Sequence, residues 1–247
     1  MDPIDTAHRH ILREKYEIFN SQLPEPSRIE FKFVFGIPNT TEQIRQLEKE
    51  RTEFPNDIVV VNRPESRDTG KILDWFRYAR GTGYWWHSLR GYCPRYRYIG
   101  KADIDAVIHI PRLLQMIEAL PTSIPNFMGR RSYTHLTGML YLLSTSLVEW
   151  IHFSKDVQQH VVGIEDTVVG DWVKNSGINV NWADMGRTFH DLPDSPNWCP
   201  GVITNKTVVV HWCKDESHFQ QCIGGLLDGE SQSRKAFGNG VLNWVLI

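Results

Sequence analysis

With 247 residues and a formal charge of −2, the chain can bury a substantial core and has no global charge to draw it to nucleic acid or an anionic membrane. Hydrophobic residues at 41% and charged residues at 23% exclude a disordered or low-complexity polymer. No run of 18 apolar residues occurs and the opening "MDPIDTAHRHILREKYE" is polar, so neither a signal peptide nor a transmembrane anchor is expected in these residues.

In chain order, "AHRHILREKYEIFN" reads as a helix, followed by the proline-bearing loop "SQLPEPSR". "FKFVFGI" (31–37) reads as a buried strand. "TTEQIRQLEKERTEF" reads as an amphipathic helix with a Thr cap and Glu42 in its first turn. "DIVVVN" is the next strand, and "TGKILDWFRYAR" a helix with Ile72, Leu73, Phe76 and Ala79 on one face. A Gly- and Tyr-rich stretch, "GTGYWWHSLRGY", leads to the strand "RYRYIGKADID". "IPRLLQMIEAL" then begins a helix with Pro111 in its first turn. This alternation predicts an α/β sheet covered by helices. In the second half, "YTHLTGMLYLLSTSLVEWIHFS" reads as a short strand and a helix, and "GIEDTVVGDWVKNSG" as a loop and a helix ending at Gly177. "NKTVVVHWCKD" reads as a strand ending in His211, followed by a short helix and a glycine-rich tail. No repeat or strong linker divides the chain, so a single domain over 1–247 is expected. Most of the nine Trp are expected in the core, with one or two left for a stacking platform in a groove.

Three features carry chemistry. Asp103 and Asp105 close the third strand, where ligands of open α/β sheets bind. An Asp-x-Asp pair there suits a hard divalent cation, Mn²⁺ or Mg²⁺, or is simply a solvated strand end. Glu165 and Asp166 sit in "VVGIEDTVVG", where acids complement a helix N-terminus or supply a general base. His211 and His190 are candidate imidazole ligands, and each is equally readable as a hydrogen-bonded structural histidine. Four cysteines, Cys93, Cys199, Cys213 and Cys222, permit three full pairings. Asn39-Thr40-Thr41 and Asn205-Lys206-Thr207 are glycosylation sequons in a secretory setting.

The order "RHILRE", "FKFVFG", "TGK", Cys93, "KADID", "GMLYLLS", "EDTVVG", "VVVHWCKD" resembles the inverting beta-1,3-glycosyltransferases. That family includes galactosyltransferases, N-acetylglucosaminyltransferases, Fringe-type enzymes and many fungal members. The resemblance spans a core of about 9–222 and leaves 223–247 as a C-terminal tail. It implies a GT-A-like, Rossmann-type nucleotide-sugar-binding sheet, here without the family's first strand. By the same resemblance, Asp105, Asp103 and His211 hold the metal, with His190 in reserve. Asp166 is the catalytic base with Glu165 beside it, and Asp103, Lys71, Arg13 and Lys101 face the UDP-sugar. Ile104 stands where the family has a further acid. The implied activity is Mn²⁺-dependent transfer from a UDP-sugar, with inversion, to a hydroxyl of a glycan, glycoprotein or glycolipid. The implied setting is the Golgi or secretory lumen, with membrane association only through an anchor that these residues do not contain. The alternative is an inactive relative, truncated at its N-terminus, that binds carbohydrate or protein.

Overall fold

The computed structural model describes residues 6–23, 29–66, 68–87, 91–227 and 244–246. The first helix, α1 (Thr6–Ser21), buries His8, Arg9, Leu12 and Tyr16, a stripe at helical spacing. Strands β1 (Ile29–Phe31) and β2 (Phe33–Ile37) divide the single strand expected at 31–37. Helix α2 (Thr41–Glu53) has the expected cap: the Thr40 side chain accepts from the Gln43 N–H. Strand β3 (Ile58–Pro64) runs parallel to β2, and α3 (Lys71–Thr82) follows a left-handed Gly70 at φ 85°. The hairpin β4 (Tyr84–His87) and β5 (Gly91–Pro94) takes up the Gly- and Tyr-rich stretch. Its side chains from residue 84 to 93, Trp85, Trp86 and Cys93 included, lie outside the described residues, and so does any part they have in the expected stacking platform.

Strand β6 (Tyr98–Ala102) stops one residue short of Asp103, so the two aspartates stand in a turn before β7 (Val107–Ile108) rather than on the strand. The turn is closed by Ala106 N–H donating to Asp103 O. Helix α4 (Ile110–Glu118) opens with Pro111, and the His109 side chain caps Arg112 N–H. Beyond it, β8 (Asn126–Ser132) was not anticipated, and β9 (His135–Ser144) is a ten-residue strand rather than a short one. The apolar run of β9 continues without a break into α5 (Thr145–Phe153), which hides the boundary. After α6 (Lys155–Gln159) comes α7 (Glu165–Asn175), with Lys174 in its last turn and Gly177 beyond its end at φ 70°. The remaining elements are β10 (Asn181–Asp184), β11 (Phe189–Asp191), β12 (Val209–His211), α8 (Glu216–Leu226) and β13 (Trp244–Leu246).

The main sheet has the order β1-β13-β6-β9-β8-β10. β13 pairs in parallel with both β1 and β6, while β9 runs antiparallel to β6 and β8. The slot between β1 and β6 is therefore filled, and from a segment expected to be a tail. A strand left out there would have orphaned the backbone groups of both neighbours. Alternation along the strands divides the interior in two. Leu140 and Leu142 of β9 join α1, α4 and α8 on one face; Tyr141 and Leu143 join α3, α5 and α7 on the other. Each of these side chains, fully buried, contributes about 1.5 to 3 kcal/mol. The result is a mixed α/β sheet flanked by helices, as expected. Among the described residues, no helix is long and apolar enough to cross a membrane.

Candidate active site

Three short strands assemble the site. β12 pairs antiparallel with β7 and parallel with β11, placing Asp191 directly beside His211. Cys213 N–H donates to Asp105 O at 3.0 Å, which ties the aspartate turn to the residues just after β12. These pairings bring Asp103, Asp105 and His211 together although the histidine lies far along the chain. One ligand atom from each lies within 4.8 Å of the other two. His211 Nε2 stands 3.2 Å from Asp105 Oδ1 and 3.6 Å from Asp103 Oδ2, and its Nδ1 is 2.5 Å from Asp191 Oδ1.

The imidazole is thus surrounded by carboxylates. Burial lowers the His211 pKa, but the hydrogen bonds to Asp105 and Asp191 and the charges of Asp105 and Asp103 outweigh it and push it up to about 10. Burial likewise raises Asp105, yet His211 and Lys214 hold it below the usual carboxylate range. Two carboxylate oxygens and an imidazole nitrogen form a donor set that fits Mn²⁺ or Mg²⁺.

Lys101 stands on the other side of Asp103. Its Nζ is 2.5 Å from Asp103 Oδ1, 3.1 Å from Gly138 O and 3.3 Å from Glu165 Oε1. Burial alone would lower this ammonium's pKa, but the charges of Asp103 and Glu165 raise it, so it stays protonated. A Cβ at residue 138 would lie 2.9 Å from the Lys101 Nζ and 3.0 Å from Asp103 Oδ2, so glycine provides the room for this pair. Glu165 is buried and also accepts from the Tyr141 hydroxyl at 3.1 Å. Asp166, one residue on, is more open. Its Oδ2 accepts from Gly138 N–H at 3.2 Å and lies 3.8 Å from His135 Nε2. Both acids stand in the first turn of α7, and Asp166 faces the cavity as well as the helix end.

Asp103, Asp105, His211, Lys101, Glu165 and Asp166 line one cavity of about 670 Å³, and Lys71 lies on its wall with its Nζ 2.6 Å from Glu65. Arg13 is elsewhere. Its guanidinium pairs with Glu50 at 2.7 Å and Asp57 at 2.6 Å and packs over the rings of Phe33 and Phe54. A role for Arg13 at the UDP-sugar is therefore not supported, because its charge is spent inside the fold. His190 is also turned away: its Nε2 meets Thr207 Oγ1 at 3.0 Å, its Nδ1 meets Asp191 O, and Gly201 packs on its ring. Of the two histidines, His211 is the one that stands beside Asp103 and Asp105.

Sequence reasoning missed Asp191, His135 and the indoles of Trp198 and Trp212, all of which line the cavity. Trp75 and Trp172 are buried as expected, whereas Trp198 is 59% exposed with Arg130 over its ring. Trp212, next to His211, holds a φ of 70°, an uncommon conformation for a bulky residue and one found at functional sites. The free cysteine among the described residues is buried Cys199, and Cys213 bonds Cys222.

A mixed sheet flanked by helices, with acids and a histidine gathered in a cavity beside its strand ends, is compatible with a Rossmann-like glycosyltransferase fold. No family model matches the chain. The chain is similar to the beta-1,3-galactosyltransferase pvg3 of Schizosaccharomyces pombe (strain 972 / ATCC 24843), with 20% identity over 234 residues. The alignment takes in 74% of this chain and spans 61% of the relative's length. This distant similarity supports a relationship to glycosyltransferases.

Proposed function

We propose that the protein is an inverting glycosyltransferase that moves a sugar from a UDP-sugar to an acceptor hydroxyl, giving a beta-1,3-type link in the secretory lumen. The observation that carries this reading is the convergence of Asp103, Asp105, His211 and Asp166 on one cavity, whose 670 Å³ suits a nucleotide sugar. Asp103, Asp105 and His211 would hold Mn²⁺, or Mg²⁺ in its place. A bound ion supplies countercharge for the diphosphate of the donor and of the departing UDP. Lys71 and Lys101 add fixed positive charge to the same cavity.

Asp166 takes the base role because Glu165 is engaged by Tyr141 and Lys101. The acceptor oxygen bonds to the anomeric carbon from the face opposite UDP. The bond from that carbon to the diphosphate oxygen breaks, its electron pair leaving on UDP, and the hydroxyl proton passes to Asp166. The Gly138 N–H holds one Asp166 oxygen in place while this happens. The acceptor would be a glycan, free or on a glycoprotein or glycolipid.

Calorimetric titration with UDP tests the reading. Binding is expected only with Mn²⁺ present and is expected to vanish in Asp105→Ala; equal affinity with and without Mn²⁺ would sink the metal assignment. Asp166→Asn should keep UDP binding and cut transfer by roughly 10²- to 10⁴-fold. Undiminished transfer would remove Asp166 from the base role.

A further inference from the structure

We propose that Asp191 is a positioning residue for a divalent-cation site: it fixes the ring of His211 and keeps a proton on Nδ1, so that Nε2 is the nitrogen presented to the ion beside Asp103 and Asp105. This inference rests on the metal reading given above and assigns a role to a residue outside the cation's own ligand set.

The geometry gives His211 two distinct sides. Nδ1 meets Asp191 Oδ1 at 2.5 Å, while Nε2 faces Asp105 Oδ1 at 3.2 Å and Asp103 Oδ2 at 3.6 Å. A carboxylate only accepts, so the hydrogen shared with Asp191 belongs to Nδ1. With that proton in place, the atoms left facing one another across the cavity are two carboxylate oxygens and an imidazole nitrogen. Three acceptors so close repel one another unless a cation or a proton lies between them.

Asp191 itself is held so that it cannot swing across to join the cluster. It is 1% exposed. Its Oδ2 accepts from Cys199 Sγ at 3.1 Å, its N–H donates to Cys199 O, and its own carbonyl accepts from Gly201 N–H. It also stands level with His211 in the β11–β12 ladder, so the pairing of two short strands sets the distance between acid and ring. Outer partners of this kind align the ring and raise its basicity as a ligand, and losing one typically costs ten- to a hundredfold in metal affinity.

The test is Mn²⁺ binding followed by the loss of the free-ion electron paramagnetic resonance signal, without nucleotide or acceptor. Wild type should bind and Asp105→Ala should not. Asp191→Asn keeps the shape but lacks the charge, and it should bind about ten- to a hundredfold more weakly with its near-ultraviolet circular dichroism unchanged. A folded Asp191→Asn with wild-type affinity overturns this inference while leaving the metal site standing. Failure of the wild type to bind Mn²⁺ overturns the metal reading, and this inference with it. Should Asp191→Asn not fold, ¹⁵N-histidine spectra of the Mg²⁺-loaded wild type decide. A His211 Nδ1 that carries a strongly downfield, slowly exchanging proton supports the role, and a proton on Nε2 instead rules it out.

Discussion

Arg9 is fully buried, and its Nε and Nη2 donate to the two oxygens of Glu50 at 2.9 and 2.6 Å, with Arg13 adding a contact at 2.7 Å. Burial raises the Glu50 carboxyl, but the hydrogen bonds and charges of Arg9 and Arg13 outweigh it and leave it below the usual range. A carboxyl lowered in the folded state contributes stability above its unfolded pKa of about 4.3, and that contribution is lost as pH falls through the folded value. Arg9→Met should therefore cost about 3 kcal/mol at pH 7, the low end for breaking a buried pair because Arg13 remains. In urea unfolding the gap between wild type and variant should narrow below pH 4, as Glu50 takes up a proton. A gap that stays constant with pH would mean the loss comes from packing rather than charge. The same pair accounts for Arg13, whose charge belongs to this cluster and not to the cavity.

At the level of elements, β12 is three residues long and yet carries the histidine of the site. It is held by β7 and β11 and, through Cys213–Cys222, by α8. Closing so short a loop is worth about 2 to 3 kcal/mol in chain entropy. Reduction, or Cys213→Ser with Cys222→Ser, should lower the thermal midpoint. It should also weaken Mn²⁺ binding, since the cysteine next but one to His211 loses its anchor. An unchanged affinity after reduction would show that the strand pairing alone places the histidine. This element also marks the limit of what could be read from the chain. "TVVVH" announces its own strand, and the Asp103–Asp105 pair marks a candidate ligand site, because both signals are local. Asp191 reaches His211 only through the β11–β12 ladder, and "FHD" has too few residues to show a period. The β8–β9 hairpin was hidden for a related reason: Arg130, Arg131 and Ser132 interrupt any alternation at its turn, and "GMLYLLSTSLVEWI" is apolar across a strand-to-helix boundary. The first half was legible because its period switches cleanly between strand and helix, with Thr40, Gly70 and Pro111 marking the helix starts.

Across the whole molecule, the central sheet depends on β13. Ile29–Phe31 on one side and Tyr98 and Ile99 on the other pair with Trp244–Leu246. Removing residues 244–247 should strip both ladders at once, lower the unfolding midpoint and raise light scattering as two open strand edges seek partners. A truncated protein with the midpoint and solubility of the full chain would show that β13 is dispensable. Asn39 and Asn205 of the two sequons are exposed, whereas Thr207 of the second is buried, with its hydroxyl held by His190 and Thr204, so the folded chain presents the first sequon more fully than the second.

The position of β13 also bears on how the protein comes to be made. Of the described strands it is the last to leave the ribosome, and the neighbours it must join emerge long before it, β6 ending at Ala102 and β13 beginning at Trp244. During that interval β1 and β6 lack the partner that both share, and the sheet closes through pairings of long sequence separation formed late. The central ladder can therefore be completed only after Trp244–Leu246 has been made, and until then β1 and β6 each keep an open edge on which the chain can pair wrongly.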